Sequence, residues 1–291
     1  MRYLFKHVLL RDAVYTMQLR TRLRELHQKA AETIETLHKE DLPSHYADLA
    51  YHSSQAEDAE RALHYTRLAG ERAIGASAFR EAQTLLRQGL DFLEAHPLPD
   101  GPRHRALLLS LLGEACLGLS EYASAASFYE QSLAVAQQIE AGRQVAEALI
   151  GLGTSTLRQG DYAATRRHYE EAIGRSTGEP KVKAMALAGL GHVASKQGDY
   201  AAAWEYYWQS LLVRQASNDR QDIADSLGHL GNVAYVQGDS AMAEDYYRQG
   251  LAIWQALGHR LGIARCLNNL GAIAHGQGDY AQAVPLWSKA E

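Results

Sequence analysis

Arg158, His192, Lys196, Asp225, His229, Asn232, Arg265 and Asn269 are the side chains of this 291-residue chain whose types and spacing could do chemistry. They recur in steps of three and four residues, with Glu147 and Thr154 on the same stripe. Cations at Arg158 and Lys196 could attract an acidic group or a chain-terminal carboxylate, and the carboxamides of Asn232 and Asn269 could bond a peptide backbone as donor and acceptor at once. This is recognition chemistry without a nucleophile, a general base or a cofactor, so no catalytic residue is expected. Thirteen histidines raise the question of a metal. No His-x-x-x-His pair shares a helical turn beside a glutamate, and His192, His229 and His275 stand about one repeat apart. If equivalent residues of adjacent repeats lie two helix spacings apart, about 16 to 20 Å, they cannot share an ion. No metal or other cofactor is expected.

These residues are carried by a repeat. A turn returns at Ser120, Gly160, Gly198, Gly238 and Gly278, at spacings of 40, 38, 40 and 40 residues. Counting from the turn residue as zero, position −14 is always Ala, −11 always Leu (109, 149, 187, 227, 267) and −8 always Leu (112, 152, 190, 230, 270). Position −7 is Gly113, Gly153, Gly191, Gly231 and Gly271. Steps of three, three and one mark one helix face, and a glycine within it lets a neighbour approach closely, offsetting the roughly 1 kcal/mol that glycine costs a helix. After the turn, position +5 is small and +9 always aromatic: Tyr129, Tyr169, Tyr207, Tyr247 and Trp287. A second helix therefore offers a small and then a large residue to the first. Asp161, Asp199, Asp239 and Asp279 follow the turn glycines, where a short acceptor caps a helix start. The shortest repeat should lose its two residues in the loop near Thr177, Gly178 and Pro180.

Leu-Gly, seven residues to Gly-Asp-Tyr, then Ala and an aromatic, resembles the tetratricopeptide repeat (TPR) in a form longer than its usual 34 residues. The resemblance covers residues 104–291 and implies an all-α α-α superhelix, a solenoid of antiparallel helix pairs in five repeats, the last incomplete. In that family the first helices line a concave groove that holds peptides. The polar stripe named above would then be the groove, with Gly113, Gly153, Gly191, Gly231, Gly271, Tyr129, Tyr169, Tyr207 and Tyr247 as its structural support. The stripe varies between repeats while the packing stripe is fixed, as a binding face would, although an idle solvated face would do the same. Residues 41–95 read as degenerate TPR-like helices, carried by Leu49-Ala50, Ala62, Ala69 and Phe79-Arg80-Glu81-Ala82, and the Pro-rich stretch 96–103 as a linker. Residues 1–40, with Phe5-Lys6-His7, Leu10, Asp12, Tyr15 and Arg24-Glu25-Leu26-His27, resemble the stretch that closes the winged-helix part of bacterial signalling ATPases of the STAND type.

That resemblance implies the sensor arm of a signalling ATPase or transcriptional regulator, here without a Gly-x-x-x-x-Gly-Lys-Ser/Thr phosphate loop of its own. A free-standing peptide-binding or self-assembling adaptor is the alternative. The chain stops at Glu291 part-way along a repeat helix, so an apolar edge open to self-association is expected there, and Pro285 should kink that helix. Arg20, Arg22 and Arg24 sit in a basic N-terminal stretch, and a solvated face accounts for them more simply than nucleic-acid contact. A composition of 46% hydrophobic and 22% charged residues, with net charge −5, describes a folded protein without general affinity for polyanions or for an anionic membrane surface. No apolar run approaches the roughly 20 residues of a membrane span, and Cys116 and Cys266 read as core residues. A cytoplasmic location is expected. Trp204 and Trp208 share a helix side and suit packing between repeats.

Overall fold

The computed structural model describes residues 20–176 and 178–290, and among them the chain is all helix with no strand. The readings made from Phe5 to Tyr15 lie outside the described residues. The chain divides into two compact units, residues 1–144 and 145–291.

In the first unit, α1 (Arg20–Leu37) leads through a 3-10 segment (Lys39–His45) to α2 (Tyr46–Gln55), α3 (Ala59–Gly75), α4 (Phe79–Ala95), α5 (Gly101–Gly118) and α6 (Tyr122–Gln138). Its core joins Leu63, Leu86, Leu93, Leu108 and Leu112, all buried. The pair α5 and α6 shows how a repeat closes. Leu109 and Leu112 are buried, and a Cβ on Gly113 would meet the Tyr129 ring at 2.7 Å, so the ring occupies the space glycine leaves. Ser132, three residues beyond Tyr129, is buried and donates to the Ala106 carbonyl at 2.7 Å, tying the second helix to the start of the first. The pair α3 and α4 repeats this design one unit earlier. Ser77 turns at φ +59°, Ala82 is buried, and Leu86 stands over Gly70 where a Cβ would meet it at 2.6 Å. Ser77 lies 43 residues before Ser120. The stretch 96–103 is only in part a connection, because α5 already begins at Gly101 with Pro102 in its first turn, where a missing N–H costs nothing.

In the second unit, α7 (Gly142–Gln159) pairs with α8 (Tyr162–Arg175), α9 (Pro180–Lys196) with α10 (Tyr200–Ser217), α11 (Arg220–Val236) with α12 (Ser240–Leu257), and α13 (Arg260–Gly276) with α14 (Tyr280–Ser288). The turn glycines 160, 198, 238 and 278 have φ between +80° and +85°, the left-handed region that glycine enters without strain. Directly after them, Asp161, Asp199, Asp239 and Asp279 each accept the backbone N–H three residues on, at 2.9 to 3.0 Å. Added Cβ atoms on Gly153, Gly191, Gly231 and Gly271 would meet Tyr169, Tyr207, Tyr247 and Trp287 at 2.5 to 2.8 Å.

One expectation changes here. The short repeat loses residues from a helix rather than from the loop: α8 has 14 residues against 18 in α10 and α12, while the connection after it runs over residues 176–179 against two residues after α10 and α12. Pro180 explains this, since it disfavours helical geometry in Glu179 while suiting the first turn of α9. The last helix, α14, runs on through Pro285 as far as Ser288.

Candidate functional site

The fixed packing stripe determines what the variable stripe can present. In two repeats the ring lodged on the position −7 glycine brings its phenol oxygen beside position −6 of the same repeat. Tyr169 Oη stands 3.2 Å from Thr154 Oγ1, and Tyr247 Oη donates to Asn232 Oδ1 at 2.7 Å. Both tyrosines are buried, and burial pushes their phenols up. Trp287 has no hydroxyl. Its indole N–H turns instead to the Asn268 carbonyl at 3.2 Å, and position −6 is Ala272.

Five of the eight residues expected in the groove meet in one cleft, between α11 and α13 with α12 behind: Asp225, His229, Asn232, Arg265 and Asn269 line a cavity of about 80 Å³. Arg265 and Asp225 form an ion pair at 2.5 Å across the repeat boundary, and the guanidinium also lies 5.9 Å over the Trp254 ring. Asn269 Nδ2 donates to Asn232 Oδ1 at 3.4 Å. Asn232 Oδ1 thus takes two donors, from Tyr247 and Asn269, which leaves the Asn232 amide N–H groups and the Asn269 carbonyl for a ligand. His229 stacks on Tyr207, with centroids 4.8 Å apart and planes within 8°. Burial brings its imidazole down to about 4, with Asp225 acting in the opposite direction and Arg214, His192 and Arg265 adding to the fall.

The other three residues form a cationic group on α7 and α9. Arg158 and Lys196 are exposed and have no ion pair among the described residues. Half-buried His192 is held below the ordinary imidazole value by burial first, then by Lys196 and Arg158. Protonation of His192 would add a third positive charge beside Lys196 and Arg158.

The distance argument against a shared ion is corrected by these contacts. Asp225 and Arg265 occupy the same repeat position and touch, as do Asn232 and Asn269 at neighbouring positions. Equivalent positions on the first helices of these two repeats are thus near enough for an arginine to reach an aspartate across the repeat boundary. Among the described residues no group of three or more His, Cys, Asp or Glu is nonetheless gathered closely enough to hold a metal. His275 points elsewhere, against Tyr280 and Trp287.

Several cleft residues gave no functional signal in the sequence. Trp254 is 2% exposed and backs the cleft, and Gly228, Cys266 and Ala224 complete its wall. The aromatic pair Trp204 and Trp208 stacks at 5.4 Å, half-buried against Ile223 and Tyr246 of the next repeat, as packing between repeats requires. In the basic N-terminal stretch, Arg22 pairs with Glu25 at 2.8 Å and Arg24 with Glu57, so two of the three arginines already face carboxylates. No helix among the described residues is long and apolar enough to cross a membrane.

Comparison with known proteins agrees with this geometry. Residues 108–140 match one model of the tetratricopeptide repeat, and residues 182–256 and 222–290 match another. The chain thus carries tetratricopeptide repeats over residues 108–140 and 182–290, within an all-α solenoid. No curated protein matches its sequence. Among solved structures it is similar to BtubC from P. vanneervenii, at 21% identity and TM-score 0.61, covering 76% of this chain and 89% of that one. It is also similar to the Rap conjugation gene regulator of plasmid pLS20 in complex with a Phr peptide, at 11% identity and TM-score 0.64, covering 82% and 74%. A third is a STAND protein with a tetratricopeptide repeat sensor from Pyrococcus horikoshii, at 13% identity and TM-score 0.62. That match covers 95% of this chain and spans 47% of the other, so the chain resembles the sensor region.

Proposed function

We propose that this chain is a non-catalytic scaffold that binds an extended peptide or protein segment along the first helices of its second unit, and serves as the sensor arm of a signalling ATPase or regulator. The observation that carries this reading is the convergence of Asp225, His229, Asn232, Arg265 and Asn269 on one cleft, with an unneutralised cationic group at Arg158 and Lys196 on the preceding repeats. The Asn232 and Asn269 pair leaves the Asn232 amide N–H groups as donors and the Asn269 carbonyl as acceptor, the complement of a peptide group. The Rap conjugation gene regulator in complex with a Phr peptide and the STAND protein with a tetratricopeptide repeat sensor, both similar in fold, support this reading. Peptide binding would bias the curvature of the repeats and so the state of an attached module.

Display selection of randomised heptapeptides on the full chain tests the reading. Enriched peptides should carry an acidic residue or rely on their free carboxylate. They should bind the Arg158→Glu, Lys196→Glu double variant at least tenfold more weakly, and more so at low salt. Failure to enrich any peptide, or equal binding to the variant, refutes it. The alternative is self-association through the last helix pair, favoured by Tyr280 and Val284, which are 61% and 62% exposed on α14. It predicts a concentration-dependent mass in light scattering that Val284→Glu abolishes.

A further inference from the structure

We infer that the hollow beneath the Asp225–Arg265 ion pair is an anchor pocket for one compact apolar side chain of the bound peptide, and that Gly228 creates it. This inference rests on the peptide-binding reading above and adds what the peptide must contain. Position −10, on the first helix, is Ser110, Ile150, Ala188, Gly228 and Asn268 in the five repeats, so only this repeat carries no side chain there. A Cβ on Gly228 would meet nothing within 4 Å, which shows open space in front of it rather than a neighbour that requires glycine. Behind it, position +12 is Gly250, where Ser132 and Ser210 stand in other repeats. A Cβ on Gly250 would come to 3.5 Å from the Ala224 carbonyl and 3.7 Å from Cys266 Sγ, both residues of the pocket wall.

The lining sorts by depth. Ala224, Cys266 and Trp254 are buried and form an apolar floor. Around the rim stand the Asp225–Arg265 pair and the two carboxamides. An apolar floor under a ring of backbone-binding groups suits a side chain whose own peptide groups lie across the rim. The cavity, about 80 Å³, is well below the roughly 300 to 1,000 Å³ of small-molecule and cofactor sites. It fits a single Val, Leu or Ile side chain and excludes a free ligand of cofactor size. The neighbouring cations do not share this pocket, so an acidic group on the same peptide would be read separately.

The test uses the same heptapeptide selection on wild type, Gly228→Leu and Gly228→Ala in the full chain. Wild type should enrich peptides with Val, Leu or Ile at one fixed position. Filling the hollow with Gly228→Leu should weaken those peptides about 10- to 100-fold, the loss expected for an unburied aliphatic side chain. Gly228→Ala should give an intermediate loss and, since its methyl meets no atom, unchanged helicity by circular dichroism, which separates pocket filling from misfolding. Equal affinity for all three proteins, or a wild-type consensus without an apolar position, overturns the pocket while leaving peptide binding intact. A selection that enriches nothing overturns the peptide reading itself and this inference with it.

Discussion

Two glycines of α11, three residues apart, should respond in opposite directions to the same added methyl. At Gly231 the new Cβ would stand 2.6 Å from Tyr247 Cε1 and 2.8 Å from Cδ1, about 1 Å inside ordinary carbon contact. The ring cannot rotate away as an alkyl terminus would, because it is buried and its hydroxyl is held by Asn232 at 2.7 Å. Overpacking of this kind costs about 1 to 3 kcal/mol, and displacing the phenol removes a hydrogen bond of about 1 kcal/mol. The gain in helix propensity returns up to about 1 kcal/mol. Gly231→Ala should therefore be less stable by about 1 to 3 kcal/mol. Gly228→Ala meets no atom and keeps only the propensity gain, so it should be more stable by up to about 1 kcal/mol. For a chain of this size 1 kcal/mol moves the melting temperature by roughly 2 to 4 °C, and the two variants should differ by roughly 2 to 16 °C. Repeat arrays do not always unfold in one step, so the melts should be paired with urea denaturation followed by the fluorescence of the four tryptophans, of which Trp254 is buried on the paired helix. A Gly231→Ala protein that melts at or above Gly228→Ala would refute the claim that the glycine and its aromatic set the register of each pair.

The turn aspartates and the buried histidine give two further expectations. Asp239→Ala removes the acceptor for the Met242 N–H and should cost about 1 kcal/mol in urea melts, whereas Asp239→Asn, itself a good cap, should cost far less. His229 has its folded pKa lowered to about 4 from 6.5, so the folded state resists protonation. Its contribution is complete above pH 6.5 and is lost as pH falls towards 4, amounting to at most about 2 kcal/mol between pH 7 and pH 5. His229→Gln should flatten part of the acid limb of stability against pH. His27, His52 and His192, lowered in the same direction, would remain. An unchanged limb in the variant would show that His229 is solvated in the native state.

The helix pairs, caps and glycine contacts were legible because each is a local rule applied at a fixed offset, and five copies reinforce one another. The α3–α4 pair was only half legible. Gly70, Ser77, Phe79 and Ala82 keep their offsets, but Leu86 stands where the aromatic should, so the composition weakened while the geometry did not. Other features depend on contacts between repeats, which no single offset reveals. Arg214 is 8% exposed and donates to the Asp222 carbonyl at 2.8 Å and to Ser226 Oγ at 2.9 Å, filling the place that Trp254 fills one repeat later. An arginine in the last turn of a helix reads in sequence as a dipole partner, not as a buried spacer. The Asp225–Arg265 pair was hidden for a related reason: both were identified as groove residues, yet treating repeats as isolated units placed them too far apart to meet.

The conserved and the variable stripes are mechanically joined, and this limits what the groove can become. In two repeats the tyrosine at +9 packs its ring on glycine and brings its hydroxyl to position −6, so the polar residue there is oriented rather than loose. Thr154 and Asn232 are oriented in this way. Glu114 is not bonded by Tyr129, but burial and Glu71 raise its carboxyl, and Glu114 in turn raises the Tyr129 phenol, so the two still sense each other. Where tryptophan replaces tyrosine, its N–H finds a backbone carbonyl and Ala272 needs no partner. Packing also reaches the outer positions, since a Cβ on Gly189 at −9 would run into the Tyr169 ring, one on Gly118 at −2 into the Phe79 ring, and His229 at −9 stacks on Tyr207, while a change at Thr154 or Asn232 must satisfy the phenol beside it. Asn232 is held by that phenol, which is why its amide can serve as a fixed donor while its oxygen anchors the repeat.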